Sequence, residues 1–295
     1  MTNQSYYVGI DVGGTNVRIG LVDEQNQILF DEKYKSTDIV HKFNEVIEKF
    51  VKKYQSDYPI KAISIGYPGL ADQDSLNVYF VPNQKAFEGT YLNDLQQKLN
   101  IPIVVGNDTN YLMLYDAVYF GIPENQSILG FYLGTGFGNA IRIKNQLYQG
   151  DTGAAGEIGH VPVYLNGVIP KTGKQPDLES LVSGFNLIEI HQKHFKETPF
   201  EEMLIKHFDS DIVQTYLHML AYYIVTEMIM LDVTTIILGG GVIMSDQFPR
   251  EYLEALIKKN LLTDLQRKRF KAYYAEPSAN SGVVGAAIYA KSFNK

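Results

Sequence analysis

The sequence predicts an α/β protein made of two similar domains, and three observations carry that reading. The chain has 295 residues, long for one hydrophobic core and comfortable for two domains with a cleft between them. A strand–glycine bend–strand unit near the N-terminus returns near the middle. Gly9-Ile10-Asp11-Val12-Gly13-Gly14-Thr15-Asn16-Val17-Arg18-Ile19 is mirrored by Gly130-Phe131-Tyr132-Leu133-Gly134-Thr135-Gly136-Phe137-Gly138-Asn139-Ala140-Ile141-Arg142-Ile143. Both bends lead through Asn to an Arg flanked by apolar residues, and each copy is followed by helical patterns and further short apolar strands.

The elements follow in order. Residues 7–10, 17–22 and 28–34 read as an antiparallel meander, with turns at the glycines and at Asp23-Glu24-Gln25-Asn26. Val40, Phe43, Val46, Ile47, Phe50 and Val51 fall at three- and four-residue spacing and predict one face of a helix. Residues 62–65 and 103–105 are short buried strands, with a helix at 91–99 between them. In the second half, helices are expected at 185–195, 211–231 and 247–259, strands at 235–238 and 270–275, and a closing helix near 282–293. The boundaries are set at 1–117 and 118–281, with the helix at about 282–295 packing back on the first domain.

Composition narrows the function. The formal net charge is -7 and no Lys/Arg block stands out, so nothing resembles a nucleic-acid footprint. The absence of cysteine removes disulfides and thiolate metal sites. The first residues are polar and the apolar runs are short, which predicts neither a signal peptide nor a membrane span. The expected address is the cytoplasm.

The glycine bends fit neither common phosphate fingerprint. No Walker run occurs, and β-branched residues follow both bends where a dinucleotide loop requires a helix. They therefore read as hairpin tips. Without Cβ atoms, tip backbone N–H groups can approach an anion, and Thr15 and Thr135 add hydroxyls. Asp11, beside the first tip, would repel phosphate unless a cation such as Mg²⁺ lay between them, reached through water. Tyr132 holds the matching place in the repeat. Either tip alone also reads as a plain tight hairpin. Asp108 ends a strand in the polar cluster Asn107-Asp108-Thr109-Asn110, where a carboxylate can take a hydroxyl proton or cap the helix that follows.

At these residues the chain resembles the ROK family, which groups sugar kinases with related transcriptional repressors. The resemblance rests on Asp11-Val12-Gly13-Gly14-Thr15, Asn107-Asp108-Thr109-Asn110, Leu133-Gly134-Thr135-Gly136, Gly156-Glu157-Ile158-Gly159-His160 and Ile237-Leu238-Gly239-Gly240-Gly241-Val242, in that order. It implies a two-domain actin-like ATPase (ribonuclease H-like) fold with a sugar/ATP cleft, and phosphoryl transfer from ATP with Mg²⁺ to a hexose. It makes Asp108 the general base and Gly69, Asn83, Asn107, Glu157, His160 and Glu179 sugar ligands. It assigns Asp11, Gly13, Gly14, Thr15, Asn16, Gly134, Thr135, Gly136, Gly239, Gly240 and Gly241 to the nucleotide, with Asp11 serving Mg²⁺. Family members are often dimers or tetramers, so a homodimer is the assembly it suggests.

Within the family the resemblance runs to the D-allose kinases, through residues 131–136, Gly159-His160-Val161-Pro162-Val163, and Gly239-Gly240-Gly241-Val242 followed by Phe248-Pro249-Arg250-Glu251. Glucose, N-acetylmannosamine and β-glucosides are the other substrates the same scaffold would serve. Two readings of another class are a sugar-responsive repressor and a non-catalytic sugar sensor. The first phosphate motif begins a few residues after Met1, so no DNA-binding domain is expected ahead of it, and retention of Asp11, Asp108 and both tips argues against a sensor.

One departure has a direct consequence. The resemblance implies a zinc held by His160 and three Cys, but Pro170, Thr172 and Asp177 stand at the cysteine positions while Gly173 is kept. That set cannot hold zinc tightly. Elemental analysis of the purified protein is expected to find no stoichiometric zinc, and a zinc chelator should leave its circular-dichroism melt unchanged. One tightly bound zinc per chain would overturn this.

Overall fold

The computed structural model describes residues 4–81, 84–163, 176–276 and 278–293. Residues divide between two compact units. The first comprises 1–122, 149–155 and 277–295, and the second 123–148 and 156–276.

The first unit is built on a five-stranded sheet of order β3-β2-β1-β4-β7. β1 (Tyr6–Val12), β2 (Asn16–Val22) and β3 (Ile28–Lys35) form the antiparallel meander, and β4 (Ile60–Tyr67) pairs parallel to β1. β5 (Leu70–Asp72) and β6 (Asn77–Phe80) make a separate hairpin, while β7 (Ile103–Asn107) pairs parallel to β4. The hairpin has no sequence signal because its strands are too short to show alternation. One face of the sheet packs on the Phe43–Tyr54 helix through Phe43, Ile47, Phe50 and Val51, all buried. Val40 lies one turn earlier, in a 3₁₀ segment. Tyr91 bridges to Asn77, so the helix expected from 91 begins at Asn93.

The second unit repeats the plan, with order β10-β9-β8-β11-β12. β8 (Ile128–Leu133), β9 (Phe137–Ile143) and β10 (Gln146–Leu147) are antiparallel, and β11 (Thr235–Gly239) and β12 (Lys271–Tyr274) run parallel to β8. The internal repeat seen in the sequence is thus a repeat of topology. Its core joins Phe131, Phe137 and Ile141 of the sheet to Leu217, Leu220, Ile224 and Met228 of the Asp211–Leu231 helix. Ser210 caps that helix by accepting from Val213 N–H. The helix expected at 247–259 starts at Arg250, immediately after Pro249.

The matching arginines of the two sequence copies are not structural equivalents. Arg18 lies opposite Asp11, next to its turn. Arg142 lies opposite Ile128, at the far end of its strand, and donates to the carbonyl oxygens of Pro123 and Gln126 at 2.9 and 3.1 Å. The second copy has two extra residues between its first tip glycine and the Asn and one more between Asn and Arg, and strand register turns that difference into distance along the sheet.

The Ser281–Phe293 helix packs on β1, β4 and the Asp108–Tyr119 helix with a face of small residues, among them Gly282, Gly285, Ala286 and Ala290. A Cβ on Gly9 would collide with the Val283 carbonyl, and one on Gly285 with the Tyr111 carbonyl. Gly285→Ala is therefore expected to destabilise the protein by at least about 2 kcal/mol in a denaturant melt, because backbone must move to admit the methyl. Gly14→Ala, whose added Cβ meets nothing within 4 Å, should stay within about 0.5 kcal/mol of the parent.

Candidate functional site

In the first unit, Asp11, Gly66, Tyr67 and Asn107 stand together at the carboxyl ends of the parallel strands. Asp11 pairs with Gly66 across β1 and β4, and Tyr67 with Asn107 across β4 and β7. Carboxyl ends of parallel strands are where α/β sheets place ligands. The Asp11 side chain packs against Gly282 at the start of the last helix, where a Cβ would collide with the carboxylate. Burial raises the Asp11 pKa, and the Arg18 charge acts the other way. A nearby cation would oppose the effect of burial, so this position fits a metal ion bound with phosphate.

The first tip is held from behind. Ser36 N–H donates to Thr15 O at 3.0 Å, Ser36 Oγ donates to Gly13 O at 2.8 Å, and the Gln84 amide donates to Gly14 O. All three carbonyls of the turn are engaged. Neither Ser36 nor Gln84 stood out in the sequence, since each meets the tip only through folding.

Asn107, not Asp108, is the helix cap. Its Oδ1 accepts from Thr109 N–H at 2.9 Å, and its Nδ2 donates to Gly69 O at 3.3 Å. Asp108 is the first helical residue, and its Oδ1 accepts from Thr109 N–H at 2.7 Å. Gly69 in turn packs on the backbone of Phe80 and Val81. The structure thus brings Gly69, Asn107 and Asp108 together, while Asn83 lies outside the described residues. Tyr111, fully buried one turn on, lies across Gly66 and Gly106 and supports the strand ends from below.

In the second unit, the Gly134–Gly136 tip uses the same device. Gly184 N–H donates to Gly134 O and Phe185 N–H to Thr135 O, both at 3.0 Å, from the first turn of the Gly184–His194 helix. Glu179 Oε2 accepts from Phe137 N–H at 2.9 Å, and its carboxylate fills the space where Gly136 would carry a side chain. The same Glu179 side chain touches Gly159. His160 sits between two carboxylates, with Nε2 at 3.7 Å from Glu157 and Nδ1 at 3.8 Å from Asp177. Burial raises the Glu157 pKa, His160 lowers it and Glu179 raises it. Glu157, His160 and Glu179 therefore form one electrostatic cluster. The zinc-loop positions Pro170, Thr172 and Gly173 lie outside the described residues.

The three glycines that end and follow β11 do different work. Gly239 packs on the Tyr132 ring, and Gly240, at φ +85°, presses on the Leu133 backbone. Only Gly241 reaches a mainly apolar cavity of about 520 Å³ that also touches Gly134 and Thr135. Leu187, Ile188, Phe200, Val242 and Phe248 line its walls. These residues come from four separate segments, so no linear motif announces them. No helix among the described residues is long and apolar enough to cross a membrane.

Comparison with known proteins places the chain in a family. The ROK family model matches residues 7–292. A glucokinase of Streptomyces coelicolor is 29% identical over 192 residues, a stretch covering 65% of this chain and 61% of that protein. An N-acetyl-D-glucosamine kinase of Vibrio cholerae is 29% identical over 306 residues, covering 96% of this chain and 98% of its own. A ROK family glucokinase from Streptomyces griseus, solved with glucose and AMPPNP, superposes with a TM-score of 0.72 at 24% identity, covering 97% of this chain and 99% of that one. The fold is the two-domain actin-like ATPase fold of that family, with two mixed five-stranded sheets.

Proposed function

Since the chain belongs to the ROK family, we propose that it is an ATP-dependent sugar kinase, transferring the γ-phosphoryl group of MgATP to the 6-hydroxyl of a hexose. The observation that carries this reading is the pair of glycine tips, each with its carbonyl oxygens tied back into its own unit. A turn whose carbonyls are engaged on one side offers its N–H groups to an anion on the other. The end-to-end match to an N-acetyl-D-glucosamine kinase supports the same activity.

In this reading Asp108 accepts the proton of the 6-hydroxyl as its oxygen forms a bond to the γ-phosphorus and the bond to the β-bridging oxygen breaks. Asn107, fixed by its bonds to Thr109 and Gly69, orients the sugar. Glu157, His160 and Glu179 hold further hydroxyls, and the family resemblance assigns Asn83 to the sugar as well. Asn16 and the glycines of the tips serve the phosphates. The apolar cavity beside Gly134, Thr135 and Gly241 takes the purine, whose flat faces suit its aliphatic and aromatic walls. Asp11 would hold Mg²⁺ through water, and the ion would neutralise phosphate charge. The family's zinc does not fit: the chain has no cysteine, and Asp177 already faces His160 at 3.8 Å. No step here depends on it.

Asp108→Asn is expected to lower kcat by about 10²–10⁴, with both KM values little changed, as befits loss of a general base. Its Tm should match the parent, because Asn107 caps the helix. Near-normal turnover in this variant would remove Asp108 from the chemistry.

Two sets of observations bear on the sugar. The motif segments around residues 131–136, 159–163 and 239–251 favour D-allose. The relatives named above favour glucose or N-acetyl-D-glucosamine. D-Allose differs from glucose only at the 3-hydroxyl, and a site that hydrogen-bonds one orientation leaves polar groups unpaired with the other. Comparing kcat/KM for allose, glucose, N-acetylglucosamine, N-acetylmannosamine and a β-glucoside at saturating MgATP decides it. The expected result is turnover of at least one hexose with a clear preference for allose. A preference for another sugar overturns the allose choice alone, and turnover of none overturns the kinase reading.

A further inference from the structure

A buried acid lies in the core of the second unit, away from the residues assigned to chemistry. Phe137, Asn139 and Ile141 share one face of β9, because strand side chains alternate. Phe137 and Ile141 pack there with Ile224 and Met228 of the Asp211–Leu231 helix. Asn139 and Glu227 are the polar pair in this apolar layer, and Asn139 is 5% exposed and Glu227 9%. Asn139 Nδ2 donates to Gly130 O at 3.0 Å. Asn139 Oδ1 and both Glu227 carboxyl oxygens are buried with no hydrogen-bond partner.

An ionised carboxylate is the costliest occupant of such a place. It brings charge without a counter-ion and offers no donor to Asn139. The neutral acid brings one O–H donor and one C=O acceptor, reciprocal to those of an amide. Burial pushes the Glu227 pKa up to about 8; an N–H of the Asn139 amide would favour the carboxylate and acts the other way, but burial is the larger effect. The adjacent helices carry Glu179 and, on Arg250–Asn260, Arg250, Glu251, Glu254, Lys258 and Lys259. None of these charges is among the influences on Glu227.

Asn139 has a second neighbour. Gly156, at φ +89°, rests against Asn139, and a Cβ there would lie 2.9 Å from Asn139 Oδ1 and 3.0 Å from its backbone oxygen. Gly156 opens the segment that carries Glu157 and His160.

We propose that Glu227 is a positioning residue, held in the core as the neutral acid, and that through Asn139 it fixes residues 156–160. The consequence for sugar binding rests on the function proposed above; the proton and the loop do not. When Glu227 ionises, Asn139 loses its donor and faces a charge, and the backbone of Gly156 loses its rigid support. Sugar affinity then falls while nucleotide affinity holds.

The sign of the stability effect follows from the raised pKa. As pH rises from the ordinary value of 4.5 to about 8, the unfolded chain gives up the Glu227 proton before the folded one does, so stability drains away over that window. Glu227→Gln keeps the shape and the donor–acceptor pair but cannot ionise. Its Tm should stay level over this window while the parent's falls relative to it. The parent should show the infrared carbonyl band of a neutral buried acid, fading as pH rises past 8 and absent from Glu227→Gln.

Hydrogen exchange then reads the loop without any need for activity. At pH 6 residues 156–160 should exchange alike in the two proteins, and at pH 9.5 at least about threefold faster in the parent. The sugar KM of the parent should rise over the same interval relative to the variant, with the ATP KM unchanged. A constant Tm difference across pH, or no neutral-acid band in the parent, overturns the proton. Equal exchange at pH 9.5 overturns the link to the loop. If Glu227→Gln does not fold, the parent's infrared titration and its own pH-dependent exchange at 156–160, referenced to residues 17–22 of the first unit, test both parts. Should no sugar be a substrate, these readouts stand and only the function fails.

Discussion

Val283 and Tyr111 present their carbonyl oxygens at the points where Gly9 and Gly285 would otherwise carry side chains, and that backbone-on-backbone contact governs the first unit. A carbonyl cannot rotate away as a side chain can, so only hydrogen fits at those positions. The Ser281–Phe293 helix thereby joins elements far apart in the chain. It clamps β1, which carries Asp11, and the Asp108–Tyr119 helix, which begins with Asp108. Gly282 lets the same helix meet the Asp11 carboxylate. The two acids given the cation and the proton in the proposed reaction are thus registered by one helix.

The duplicated scaffold keeps its turns and changes their surroundings. Thr15 O and Thr135 O each accept an N–H from a downstream helical turn, and the two sheets share one strand order. The differences lie beside the turns. Asp11 faces Arg18 in the first unit, whereas Tyr132 faces Gly138 in the second. Where the first tip is backed by Ser36 and Gln84, the second has the Glu179 carboxylate packed into it. The division of labour proposed above, between a cation-bearing tip and a purely phosphate-binding one, needs no other change of fold.

Glu179 and Asn139 show how the second unit is braced. Glu179 binds the amide that follows the tip and touches Gly159, while Asn139 bonds to Gly130 and supports Gly156. The segment 156–160 is therefore supported at both of its glycines. Asn139 is buried and Glu179 partly so, and out of bulk water a hydrogen bond is stronger and a missing one more costly.

Local pattern alone carried the α/β class, the internal repeat, the meander, the long helices and the strands that lead to Asp11 and Asn107, whereas Asp108, expected at the strand end, opens the helix that follows. These depend on periodicity and on glycine placement, which neighbouring residues express directly. Ordered motifs carried the family and most of the proposed site. Only the tertiary structure decided that Asn107 caps the helix in place of Asp108, and that Arg18 and Arg142 are not equivalents. It alone brought Ser36 and Gln84 behind the first tip, built the apolar cavity from four segments, and set Glu227 against Asn139. Those features depend on register and on contacts between residues distant in the chain, and a linear sequence does not say which distant residues will share a desolvated space.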